Sequence, residues 1–193
     1  MLRRYRLALG LWICGVVMLF VAFISASIVR RGIPSYESGT GSYSTQWESL
    51  PLPIALLILD SCILIIDSLA LELARRRCAA AALQQADPQN LSWWTYSAIA
   101  LSLAFLAAQA MLWRLLQAHG LLVSTNARVS FFYLITAAHA AQVAIGLLAL
   151  IWIVARQTSW TAMGRYIAVD LATWHFSAMA ALWIVLLCFL LFA

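Results

Sequence analysis

Two histidines and two aspartates stand where ionisable groups are costly. His139 lies inside Ser130–Leu150, SFFYLITAAHAAQVAIGLLAL, and His175 inside Thr173-Trp174-His175-Phe176; Asp60 and Asp67 share the run LILDSCILIIDSLAL. Each apolar run is long enough to cross a bilayer, so these groups are expected to face protein rather than lipid. Three chemistries are open to such a set. Acid and imidazole chains can relay protons, histidines can ligate haem or a metal, and either group can hydrogen-bond across helices. A relay needs polar groups leading to a surface, and only Gln142 and Ser177 extend one. Bis-histidine haem sites need further paired histidines on facing helices, whereas the remaining one, His119, falls in a link. The reading that follows is interhelical fastening by Asp60, Asp67, His139, Gln142, Trp174 and His175. No catalytic, cofactor or metal-ligating residue is assigned.

Spacing makes this reading specific. Seven residues separate Asp60 from Asp67, nearly two turns, which puts them on one helix face about 10 Å apart. Matching depths along the runs pairs Asp60 with His139 and Asp67 with His175. The expectation is two buried carboxylate–imidazole pairs tying the second helix to the fourth and fifth.

The elements that must hold these groups follow from composition. The chain has 193 residues, 65% hydrophobic and 10% charged, with a mean hydropathy of +0.92. So little polar surface cannot coat a soluble globule. A span needs roughly 20 apolar residues, and alternating barrel patterning is absent. An all-α, polytopic membrane protein is expected: one domain over residues 1–193, a bundle of five transmembrane helices. Apolar periodicity puts these at about residues 7–29, 53–73, 93–116, 129–154 and 167–192. The first apolar run exceeds the roughly 7–15 residues of a secretory signal and reads as a retained helix. The Gly/Ser/Thr-rich stretch after Arg31 reads as an extramembrane loop. Ser92 reads as a cap for the third helix, after a link carrying Asp87-Pro88.

All 12 basic residues are arginine. They gather at the ends of the runs rather than in a stripe, which argues against nucleic-acid binding. Arg3, Arg4, Arg6, Arg75, Arg76, Arg77, Arg156 and Arg165 fall on one side, and Arg30, Arg31, Arg114 and Arg128 on the other. The positive-inside rule then expects a cytoplasmic N-terminus and, after five spans, a periplasmic C-terminus. Arg75, Arg76 and Arg77 would attract anionic lipid headgroups. Glu72 and Asp170, near the same ends, are expected at the interface or paired with neighbouring arginines. Cys14, Cys62, Cys78 and Cys188 show neither metal-ligand nor disulfide spacing and read as small packing residues.

Several stretches together resemble subunit III of the haem-copper cytochrome c and quinol oxidases. Cys14–Val29, CGVVMLFVAFISASIV, is similar to the family's ASEVMLFAGLISAYLV, with Val16 in place of its glutamate. Leu59–Ser68, LDSCILIIDS, resembles LNTLLLLLSS, and Ala107–Leu115, AAQAMLWRL, resembles an AGQxxxW segment. The fourth run is similar to FFYLxTGxHGxH, with Gln142 at the second histidine. The last run keeps WHF at Trp174–Phe176, followed by Ala178 where the family has an acid. The likeness touches all five helices and implies a divergent, five-helix bacterial member.

That resemblance implies a non-catalytic integral subunit of a respiratory terminal oxidase in the bacterial inner membrane. Such a subunit packs beside the catalytic subunit I, holds phospholipid and supports proton uptake, while haem and copper sit in the partner. Two alternatives stay open: the homologous subunit of a nitric-oxide-reducing system, and a small transporter with Asp60 and Asp67 on its path.

Overall fold

The computed structural model describes residues 2–37, 42–44, 53–83 and 93–192. The expected cap Ser92 and the Asp87-Pro88 link lie outside the described residues. Five helices long and apolar enough to cross a membrane account for nearly all of it. They are α1 (Leu2–Arg31), α2 (Ile54–Leu83), α3 (Trp93–Ala118), α4 (Ala127–Ala155) and α5 (Ala162–Phe192). The loop after α1 differs from the expectation by a minimal antiparallel hairpin, β1 (Ser35–Glu37) against β2 (Ser42–Ser44), with Tyr36 opposite Tyr43. Tyrosine's preference for extended backbone fits that departure.

Helices α2 to α5 form a closed ring. Helix α2 packs on α3 and α5, and α4 packs on the same two, while α1 leans on α4 and α5 from outside. The cause is a strict heptad on each ring helix, the pattern that lets straight helices share long seams at a shallow crossing angle. Buried positions alternate by three and four along Leu57, Asp60, Leu64, Asp67, Leu71 and Ala74 of α2, and along Thr95, Ala98, Ser102, Phe105, Gln109, Leu112 and Leu116 of α3. The same alternation runs through Val129, Phe132, Thr136, His139, Val143, Gly146, Leu150 and Ile153 of α4. It recurs along Val169, Ala172, Phe176, Met179, Trp183, Leu186 and Leu190 of α5. Helix α1 has no such stripe; only Val16, Phe20 and Ser27 are buried on it. The apolar surface it leaves open suits the hydrocarbon of a bilayer.

Two helix ends are set by local chemistry. Helix α3 closes in a Schellman motif: Gly120 at φ 77 follows the last turn, Leu121 N–H donates to Leu116 O at 3.0 Å and Gly120 N–H to Gln117 O at 2.9 Å. Glycine takes that left-handed conformation without steric cost. Helix α4 starts at Asn126, whose side chain accepts from Val129 N–H at 2.8 Å. Asn126→Ala is expected to lower stability by about 1 kcal/mol, read as a shift in the midpoint of reversible unfolding in mixed micelles; an unchanged midpoint would show the cap idle.

Three boundaries differ from the sequence expectation by five residues or more. Helix α1 starts at Leu2 rather than at about residue 7. Helix α2 runs ten residues past residue 73, through Arg75–Arg77, which makes Cys78 a half-buried helical residue. Helix α5 starts five residues earlier than 167, at Ala162, where Thr161 Oγ1 accepts from Gly164 N–H at 3.2 Å as a side-chain cap.

Candidate functional site

The heptad places acids of α2 opposite hydrogen-bonding side chains of α3. Asp60 Oδ2 accepts from Gln109 Nε2 at 2.7 Å, and Asp67 Oδ2 accepts from Ser102 Oγ at 2.6 Å. Seven residues separate the members on each helix, and the order reverses, as two antiparallel helices in one register require. All four side chains are fully buried. The α2–α3 seam therefore alternates apolar layers, such as Leu64 and Phe105, with two polar layers.

These contacts correct the expected acid–imidazole pairs. The histidines tie α4 to α5 instead, each through a backbone carbonyl. His139 Nε2 lies 3.1 Å from Met179 O and His175 Nε2 lies 3.2 Å from Gln142 O. A carbonyl only accepts, so Nε2 carries the hydrogen in both rings. Depth along the helices could not say which neighbour lay across each seam.

His139 sits in an aromatic box drawn from three other helices. Its ring centroid is 4.8 Å from Trp183, 5.7 Å from Phe105 and 6.3 Å from Phe20. Trp183 in turn donates Nε1–H to Ser61 Oγ at 3.0 Å, which closes α5 onto α2. The lone pair on His139 Nδ1 has no hydrogen-bond partner inside this box. Among the described residues, no three His, Cys, Asp or Glu side chains converge in a way that could hold a metal ion.

His175 packs over Gly146, where α4 and α5 approach closely. A β-carbon at Gly146 would lie 2.8 Å from His175 Cδ2 and 2.8 Å from Phe176 Cε2. Phe176 is fully buried and has nowhere to retreat. Gly146→Ala is expected to destabilise the fold by about 1–2 kcal/mol through overpacking, measured by the same unfolding assay; a neutral or stabilising result would mean the α4–α5 seam is slack.

Trp174 departs from its expected place. It is 54% exposed, and its ring lies under the Arg6 guanidinium at 5.9 Å. The reason is phase: Ala172, Phe176 and Met179 occupy the inward heptad positions, which turns residue 174 outward. Gln142 is half-buried, and its backbone oxygen rather than its side chain makes the contact to His175.

A second polar group, unforeseen apart from its acids, closes one end of the bundle. Asp170, fully buried on α5, accepts two hydrogen bonds from Arg6 of α1, from Nε at 2.8 Å and from Nη2 at 2.7 Å. Arg75 Nη1 approaches the same carboxylate at 3.6 Å, while its Nε and Nη2 each donate to Glu72 at 2.7 Å. Arg76 also donates to Glu72, at 2.8 Å, and Arg77 lies 6.0 Å from the Trp94 ring centroid. The arginine run is thus a helical turn engaged with its own protein. Beside it, Arg6, Glu72, Arg75, Thr173, Trp174 and Ser177 line a polar cleft of about 430 Å³, and Ser177 reaches Ser68 at 3.0 Å.

Seven-residue spacing of Ser102 and Gln109, the same as that of the aspartates, was the signal that could have identified the α3 partners. Nothing comparable pointed to Arg6. Compared with models of protein families the chain matches none, and no curated protein matches it.

Proposed function

We propose that the chain is a non-catalytic, membrane-integral subunit of a respiratory haem-copper oxidase, of the subunit III type, which packs beside and stabilises the catalytic subunit I. One observation supports this reading above others. The two stretches most similar to that family, around His139 on α4 and Trp174-His175-Phe176 on α5, lie against each other, with His175 bonded to Gln142 O and seated over Gly146. The resembling residues form one packing surface, and their imidazoles serve as fasteners. The same reading gives the chain a bacterial inner-membrane location and a cytoplasmic N-terminus, with haem and copper held by the partner. Phospholipid headgroups would lie near Arg76 and Arg77, at the end where Arg6 and Arg75 hold the helices together.

Affinity capture of the tagged chain from its native membrane in mild detergent tests the proposal. The expected result is a larger membrane subunit carrying haem and copper, seen in the visible spectrum and by metal analysis. A nitric-oxide-reducing assembly would give haem without copper. Recovery of the chain alone, coupled with solute flux in vesicles that Asp60→Asn abolishes, would overturn the proposal in favour of a transporter.

A further inference from the structure

Asp60 and Gln109 are joined by one short hydrogen bond, and each is left with one unused oxygen. Gln109 Nε2 donates to Asp60 Oδ2 at 2.7 Å, while Asp60 Oδ1 and Gln109 Oε1 have no partner and no exposed surface. Both residues are 0% exposed. Among the described residues, no hydrogen bond or ion pair joins either side chain to a cation. The next layer on α3 is Phe105, and α5 presents Trp183, whose N–H is taken by Ser61. The ionic cluster of Arg6, Glu72, Arg75 and Asp170 begins twelve residues further along α2, about 18 Å away. An isolated carboxylate in such a place neutralises rather than stay charged.

A single proton removes both deficits. We propose that Asp60 is held as the neutral acid and forms a cyclic acid–amide pair with Gln109: Oδ1–H donates to Oε1 while Nε2–H donates to Oδ2. Two oxygens that both only accept would repel across the seam; with the proton between them they become its second hydrogen bond. Asp67 differs: its partner Ser102 is a hydroxyl rather than an amide, so the acid–amide pair cannot form there. Asp60 is then a permanent clasp between α2 and α3 whose proton stays in place, independent of what assembly the chain belongs to.

Infrared spectroscopy of the full-length chain, with any subunits it carries, in native-lipid nanodiscs at neutral pH tests this. Carbon-13 labelling of aspartate should move a carboxylic-acid carbonyl band, and Asp60→Asn should remove that band while leaving the melting temperature unchanged, because an amide–amide pair keeps both hydrogen bonds. Asp67→Asn should leave it in place. Gln109→Leu should shift it to higher frequency, since its carbonyl loses a donor. Loss of carboxylate bands in Asp60→Asn, a band unmoved by Gln109→Leu, or no labelled acid band in the unsubstituted chain would each overturn the proposal; the last needs no variant to fold.

Discussion

Trp183→Ala is expected to lower stability by about 3–4 kcal/mol, the largest effect of any single substitution considered. Its side chain is fully buried and fills the middle of the ring, against His139 at 4.8 Å and Phe105 at 5.6 Å, edge to face. Large-to-small changes of this kind cost about 3–5 kcal/mol in water-soluble cores. In a membrane the unfolded reference is a helix already in lipid, so the transfer part of that cost shrinks. What remains is lost dispersion contact around a void that four helices, held in register by their heptads, cannot close. The indole N–H adds to this, because its loss leaves Ser61 Oγ without a donor. Trp183→Phe separates the two parts: it keeps most of the ring and should cost about 1–2 kcal/mol. Chemical unfolding in mixed micelles reads both, and an alanine variant no weaker than the phenylalanine one would mean the box around His139 collapses freely.

The architecture was legible because a membrane span has few solutions. Apolar runs of the right length, ended by arginine, place five helices, and each ring helix carries a heptad that could be counted in the sequence. The partners across the seams were less legible. Depth alone put His139 beside Asp60, yet which helix neighbours which is decided by how whole stripes pack, and α2 shows its aspartates to α3. Trp174 misled because a tryptophan next to a membrane histidine looks buried, when the heptad phase of α5 turns it outward. Arg75–Arg77 misled differently. They read as the stop of a helix, but arginine is a good helix former, and Glu72 one turn earlier pairs with both Arg75 and Arg76. A long-range pair such as Arg6 with Asp170, 164 residues apart, leaves no periodic trace at all.

That pair carries the second large effect. Arg6→Leu is expected to cost about 2–3 kcal/mol, and Asp170→Asn only about 1. The asymmetry follows from burial. Removing the arginine leaves a carboxylate with no exposed surface facing a single guanidinium at 3.6 Å. Breaking a buried pair in this direction costs about 3–5 kcal/mol, reduced here because Arg75 remains and can close up. Removing the acid instead leaves an Arg6 side chain that is already 40% exposed and can turn to water or headgroup phosphates. The double variant should be more stable than Arg6→Leu alone, since it no longer buries an underpaired charge; simple additivity of the two losses would refute the argument. The structural readout lies in α1. With only Val16, Phe20 and Ser27 buried, that helix depends on Arg6 for its hold on α5, so Arg6→Leu should loosen α1 before the ring α2–α5 unfolds. Protease cleavage near residues 1–6 and loss of an engineered α1–α5 crosslink would report that release, whereas global unfolding in one step would show α1 to be bound by its apolar contacts instead.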